Sequence, residues 1–443
     1  MKFGIVPLLT GDSGGVYQYS LMMLEALRNP GTISKDDQVT IFVHESASQD
    51  LSQFVLPNWE IRPLSPPSLR RTLGKVLHAL PFGSQLSKLF RPSGAGPQRI
   101  PQDISHINFK PELGAWFRRF GVDLMIFPVP MSISFECGIP YIFVVHDLQH
   151  RLQPHFPEVG SPREFQAREY LFMNGIANAV CVVADSEVGR EDVLACYGAT
   201  GVSANNVFAL PFVPPAYLPE WVSADRRQAV RRQYNLPDNF FFYPAQFWPH
   251  KNHARLLMAL ALLRDKYGIH GHLVLCGSHS NEVRSQTFKE VQELIEQHEL
   301  NGQVHYLGYV LNEDMAVLYA EALALVMPTF FGPTNIPILE AWTLLCPVLT
   351  SNIRGVRDQA LDGAILVNPD SVEDIAQGLH KLWTDEAFRI HLCHKGTERL
   401  KGLTQQDFAD RLSLILKHAK RTFSDIRVKT HNPASYVRDV NEF

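Results

Sequence analysis

The stretch GPTNIPILEAW, beginning at Gly332, holds the residues of this chain best placed to do chemistry. It follows an apolar run, ALALVMP, and a bend at Pro328 and Thr329. The pattern predicts a helix whose start carries Thr334, Asn335 and Pro337. A helix start presents unpaired backbone N–H groups and the positive end of a dipole, which suits a phosphate. Glu340 stands a turn further in, where a carboxylate accepts hydrogen bonds from sugar hydroxyls. Strand, glycine-containing turn, helix start and one buried acid form the layout expected of a nucleotide-sugar site. The plainer alternative is a proline-tolerant helix start with Glu340 capping a backbone amide.

Three further groups of residues bear on chemistry. Gly14 and Gly15, in GDSGGVYQ after the first apolar run, let backbone approach a ligand closely, or form an ordinary tight turn. The segment lacks the GxGxxG spacing and the ribose-binding acid of a dinucleotide site. His146 and Asp147 end the run YIFVV, where a His can bond a sugar hydroxyl and an Asp can orient the His or a loop. Lys251, in FWPHKNH just before a predicted helix, can neutralise a diphosphate as a point charge; a solvated surface lysine is the alternative. His250, His253 and His279 have no carboxylate or Cys nearby in sequence to complete a ligand set, so no metal is expected.

These residues need strands to hold them. Phe3–Leu9, Thr40–His44, Asp123–Pro128, Tyr141–His146, Ala179–Asp185 and Val207–Pro211 read as strands, mostly continuous apolar runs of the buried parallel kind. Between Pro214 and Tyr234 the texture changes to prolines and then a charged helix, ADRRQAVRRQY, which reads as a linker. A second series follows, with strands in FFFYPAQF, HLVLCG, VHYLGYV, ALALVMP, PVLTS and AILVNP separated by helices. Strands alternating with helices imply open parallel sheets covered on both faces. Two such domains leave a cleft at the carboxyl ends of their strands, where open α/β sheets bind ligands.

Composition sets the outer bounds. The 443 residues suffice for two or three domains, and 45% hydrophobic with 19% charged residues describes a chain that folds. A net charge of −4 argues against a dedicated nucleic-acid binder. Six scattered cysteines without a CxxC pair read as free thiols in a reducing compartment. No apolar run is long enough to span a bilayer, and the N-terminal one is too short for a signal peptide, so a cytoplasmic protein is expected. Between Arg62 and Arg99 lie seven Arg or Lys residues and no acid, with Leu69, Leu73, Val76, Leu77 and Leu80 at helical spacing. That segment reads equally as a peripheral contact with the inner face of a membrane or as an insertion with a solvated basic face.

In order along the chain, GGVYQ, VVHDLQH, PAQFWPHKNH, HYLGYV and PTFFGPTNIPILEAW resemble glycosyltransferase family 4, a family of retaining enzymes. The resemblance runs from Gly14 to about Asp374. It implies the α/β GT-B fold, two Rossmann-like doubly wound parallel-sheet domains facing a central cleft. Residues 1–217 would form the acceptor side, with a basic insertion at about 62–120. Residues 218–415 would bind the donor, and 416–443 would form a helical segment crossing back. By the family pattern His146 and Lys251 are the catalytic pair, His146 near the donor sugar and Lys251 on the diphosphate. Gly14 and Gly15 line the phosphate and the acceptor side. Gly308, Tyr309 and Val310 approach the nucleobase through backbone. Thr334, Asn335 and Ile336, after Gly332 and Pro333, give N–H groups to the phosphates, and Glu340 binds the ribose.

Two positions depart from that pattern. Gly332 stands where the family has the first Glu of Glu-x7-Glu, and Gln246 stands where it has an Arg. The GPTN form resembles a subset of bacterial enzymes that build surface polysaccharides. The implied partners are a nucleotide-sugar donor and a glycan or lipid-linked acceptor, with no nucleic acid, no cofactor and no metal. A non-catalytic sugar-nucleotide-binding scaffold, which Gly332 favours, and a sugar-nucleotide 2-epimerase are the competing readings.

Overall fold

The computed structural model describes residues 1–9, 14–44, 51, 54, 56–64, 103–215 and 217–429, with side chains to 424. The first domain holds β1 (Lys2–Ile5), β2 (Gln38–Val43), β3 (Trp59–Pro63), β4 (Leu124–Phe127), β5 (Tyr141–Val145), β6 (Cys181–Ala184) and β7 (Val207–Ala209). These pair in the order β3-β2-β1-β4-β5-β6-β7, all parallel. The second holds β8 (Phe240–Pro244), β9 (His272–Cys276), β10 (Val304–Tyr306), β11 (Ala324–Met327), β12 (Val348–Ser351) and β13 (Ile365–Val367). Its order is β10-β9-β8-β11-β12-β13, also parallel throughout. This is the expected GT-B arrangement of two doubly wound sheets.

The central strands are apolar because helices cover both faces. Every residue of β4 and β5 is buried, as are Phe240 to Tyr243 of β8. Each such Phe contributes about 1.5–3 kcal/mol by leaving water. In both sheets the chain reverses its direction of winding next to the first strand. The loops after β1 and β4, and those after β8 and β11, therefore flank a crevice at the strand ends. All four segments with chemical potential sit at or beside these crevices.

Four sequence expectations need adjustment. β3 was not anticipated: WEIRP is an edge strand in which Trp59 alone is buried, so it carries no apolar run. Its Glu60 accepts from Lys2 Nζ at 2.7 Å and Thr40 Oγ1 at 3.0 Å, tying the edge to the sheet. The first strand ends at Ile5; the Val6 N–H makes one more bond to the Ile126 carbonyl at 3.1 Å, and the Leu8 N–H bonds Ser20 Oγ at 3.1 Å instead of a neighbouring strand. The charged helix Ala224–Gln233 is not linker. Arg226 pairs with Glu313 and Asp314 at 2.8 and 3.0 Å, Arg231 pairs with Glu321 at 2.9 Å, and Arg227 bonds Glu321 as well. All three acids lie on the Asn312–Glu321 helix of the second domain.

The last helix, Gln405–Lys429, lies against the first domain. Asn29 Nδ2 donates to Gln406 Oε1 at 3.0 Å, and Ser413 Oγ donates to the Gly31 carbonyl at 3.1 Å. Lys420 and the N-terminal amine share Asp37. The crossing thus begins about ten residues before the expected boundary at 415, which falls inside this helix. Of the basic segment only Arg62 is described, paired with Glu60 at 2.7 Å; Arg70 to Arg99 lie outside the described residues. All six cysteines are free. Among the described residues no helix is long and apolar enough to cross a membrane.

Candidate active site

A cavity of about 380 Å³ opens between the carboxyl ends of the two sheets. Gly14, Gly15, His146, Gln246, Lys251, Gly332 to Ile336 and Glu340, which lie up to 326 positions apart along the chain, all line it. Tyr309 and Val310 do not. Tyr309 is largely exposed and Val310 buried, and Asn312 and Met315 stand in the wall nearby.

Lys251 is the cation of the site. After β8 a short 3-10 turn, Pro249–Lys251, delivers it to the start of the His253–Tyr267 helix. Asn252 holds the turn in a left-handed conformation, φ 60°, and its side-chain N–H groups bond the carbonyls of Pro328 and Pro369, each at 2.8 Å. Tyr243 O–H donates to the Lys251 carbonyl at 2.8 Å. No carboxylate among the described residues makes an ion pair with Lys251. Burial brings its amine down to about 8, against the weaker opposing pull of Asp147 and Glu158. A partly desolvated cation without a paired counter-ion suits an anion.

The anion-binding helix start is built less freely than expected. The helix runs Ile336–Thr343 with Asn335 at its cap. The Asn335 N–H is taken by Gln359 Oε1 at 2.8 Å, and Gln359 Nε2 returns a bond to the Asn335 carbonyl at 3.0 Å. Asn335 therefore does not offer its amide to a phosphate, a correction to the family pattern. Ile336, as the first helical residue, keeps an N–H outside the helical ladder. Gly15 packs closely here: a Cβ on it would lie 3.1 Å from Ile336 Cδ1, across the cleft, so the Ile336 side chain would have to shift. Gly14 caps the first helix, Gly15–Arg28, at φ 54°, which favours glycine. Gln246, at the family's Arg position, accepts from Trp248 Nε1 at 3.0 Å through Oε1.

Glu340 accepts from Tyr319 O–H at 2.8 Å. Burial raises its carboxyl, and the Tyr319 bond opposes that only in part. It is no cap; it is a cavity-facing acid that a sugar hydroxyl could meet.

His146 lies in the wall with both ring nitrogens turned to protein. Nε2 is 2.9 Å from the Pro128 carbonyl, so Nε2 carries the hydrogen. Nδ1 is 3.5 Å from Asp185 Oδ2. The ring packs edge-on to Tyr19 and stacks with Phe212, at centroid distances of 4.9 and 6.2 Å. Burial pushes Asp185 up to about 6. Asp147 serves its loop: it accepts from the Gln149 N–H at 3.0 Å and from Arg168 Nη1 at 3.4 Å. His253 is sealed behind the site, and burial takes it down to about 3.

Glu158 was not anticipated from sequence. It sits on the short helix Pro157–Gly160 of the first domain, with a side chain 5% exposed, in the wall beside Lys251. Its Oε1 is 2.5 Å from His250 Nδ1 of the second domain and 3.3 Å from Gln149 Nε2. Burial would raise its carboxyl, but the bond from His250 holds it below the usual range, while burial lowers the His250 ring in turn. Nothing in PHFPEVGS marks this acid, because its partner stands 92 residues away. Gln153 Nε2 adds a second tie across the cleft, to the Phe330 carbonyl at 2.8 Å.

Comparison with known proteins agrees with this architecture. Residues 226–399 match the family model described as Glycosyl transferases group 1. O-antigen chain mannosyltransferase B of Escherichia coli is 29% identical over 179 residues, 40% of this chain and 46% of that protein. The match thus spans less than half the length of the first curated relatives. Among solved structures, WaaG, titled a glycosyltransferase involved in lipopolysaccharide biosynthesis, superposes with a TM-score of 0.62 at 15% identity, covering 95% of this chain and 99% of that one. HepE of Anabaena, solved in complex with UDP and glucose, gives 0.62 at 16% identity over 96% and 99%. These two likenesses concern the fold.

Proposed function

We propose that this chain, a group 1 glycosyltransferase of the family-4 type with the GT-B fold, moves a hexose with retention from a nucleoside diphosphate sugar to an acceptor hydroxyl in bacterial surface polysaccharide synthesis. The observation that carries this reading is Lys251, a half-buried ammonium without an ion pair among the described residues, in a cavity between two doubly wound sheets. Relatives named as O-antigen mannosyltransferases make a mannosyl nucleotide the first donor to try.

Breaking the anomeric C–O bond builds positive charge on the sugar and negative charge on the diphosphate. Lys251 and the Ile336 N–H stabilise the second of these without a metal. The acceptor hydroxyl enters on the face the leaving group departs from, and the leaving phosphate takes its proton. Glu340 receives the ribose, and the acceptor, a glycan or lipid-linked sugar, approaches from the first domain. The test is incubation with a panel of nucleotide sugars, with and without chelator. Release of free nucleoside diphosphate unaffected by chelator is the expected result. Binding without turnover would instead support the scaffold reading that Gly332 favours, and an altered sugar nucleotide would support an epimerase.

A further inference from the structure

The family's acid at position 332 is not merely absent; the local backbone and the packing of Asn335 disfavour any side chain there. Gly332 has φ 153°, and a Cβ on it would lie 2.7 Å from Asn335 Nδ2 and 3.0 Å from Asn335 Cγ. Gln359 bonds the Asn335 backbone N–H and carbonyl and so fixes where that side chain starts, and Asn335 is only 5% exposed, so its side chain has little room to turn aside. A carboxylate that meets the donor sugar must come from elsewhere in the wall.

Four acids stand in that wall: Asp147, Glu158, Asp185 and Glu340. Asp147 is used by Arg168 and the Gln149 N–H, and Glu340 by Tyr319. Asp185 has an Oδ1 without a partner among the described residues, but its other oxygen faces the His146 ring. Glu158 differs. Its Oε1 is fixed by His250 and Gln149, while its Oε2 is buried with no partner among the described residues. Like Asp147 it acts electrostatically on Lys251, and its partner His250 is Lys251's chain neighbour. A sugar joined to a phosphate held by Lys251 therefore comes within this carboxylate's neighbourhood.

We propose that Glu158 Oε2 accepts hydrogen bonds from hydroxyls of the donor sugar, so that a first-domain carboxylate does what position 332 cannot. This rests on the glycosyltransferase reading above. It adds that the sugar subsite is completed across the cleft: the phosphate cation comes from one domain and the sugar's acceptor from the other. An orphaned buried carboxylate oxygen is costly, and a hydroxyl donor satisfies it.

The test is equilibrium binding of UDP, UDP-glucose, GDP and GDP-mannose to wild type and Glu158→Gln. The variant keeps nucleoside diphosphate affinity within about twofold, which also reports that it is folded. It loses about 10- to 100-fold for the sugar nucleotide, the worth of a hydrogen bond to a charged group. A deoxy donor lacking the bonded hydroxyl shows no such loss. Wild type that binds neither pair overturns both this inference and the function it rests on. Wild type that binds, with Glu158→Gln within twofold for the sugar nucleotide, overturns the Glu158 assignment alone. An equal loss for diphosphate and sugar nucleotide also overturns it, making Glu158 a tie between domains and nothing more.

Discussion

Replacing Lys251 by Met is expected to stabilise the protein while abolishing its chemistry. The amine falls from its ordinary 10.5 to about 8 because burial strips its water and no carboxylate within ion-pair reach compensates. At about 1.4 kcal/mol per tenfold change, holding that charge in the folded state costs about 3 kcal/mol at pH 7. The amine keeps some solvent contact through the cavity mouth, so the gain on removing it is at most of that order. The pH dependence has a definite sign. Below about pH 8 the amine is protonated in folded and unfolded chains alike, and the cost is present in full. Between about 8 and 10.5 the unfolded chain holds one proton more, so wild-type stability gains from this group as pH rises. The stability difference between Lys251→Met and wild type is therefore largest at pH 7 and closes towards 10.5. Urea unfolding of both proteins across that range measures it, since subtraction removes the tyrosines and cysteines that also titrate there. Turnover falls by about 10²- to 10³-fold through loss of leaving-group stabilisation. Added pyrophosphate raises the melting temperature of wild type and leaves the variant unmoved. A variant no more stable than wild type, or one that turns over normally, refutes the picture of an unpaired, partly desolvated cation awaiting an anion.

Other perturbations test the scaffold around that cation. Asn252→Ala removes two buried bonds, to the Pro328 and Pro369 carbonyls, and a residue suited to φ 60°. It should cost about 2–4 kcal/mol in denaturant unfolding and raise the donor KM by loosening Lys251. Gly332→Ala places a Cβ against Asn335 at a strained φ and should cost about 1–3 kcal/mol; a change below about 0.5 kcal/mol would show that the loop relaxes freely. Gly332→Glu, by the same geometry, lowers stability without improving donor binding.

Much of the fold was legible because parallel sheets bury both faces. Runs such as YIFVV and FFFY have no other place to be, and the alternation with helices leaves one family of architectures. Where that logic weakened, so did the reading. The edge strand Trp59–Pro63 buries one residue, and the Ala224–Gln233 helix is held by arginine–acid pairs rather than by an apolar stripe. Lys251, Glu340 and the two glycines were legible because the segments bearing them follow directly on strands β8, β11 and β1, and strand ends meet at a crevice. Asp185 was bracketed as the last residue of a strand, but not as a partner of His146.

What the sequence determined by itself is therefore the kind of site: a helix start, a lysine, an acid and close-approach glycines, each fixed by its few neighbours along the chain. The tertiary structure decided how those groups are employed. It spent the Asn335 amide on Gln359, turned both nitrogens of His146 into the wall, and left Tyr309 and Val310 outside the cavity. It also brought Glu158 to within 2.5 Å of His250 across the cleft. Such pairings join residues well apart along the chain, in one case on different domains, and their partners set burial, charge and hydrogen-bond use, none of which a local pattern encodes.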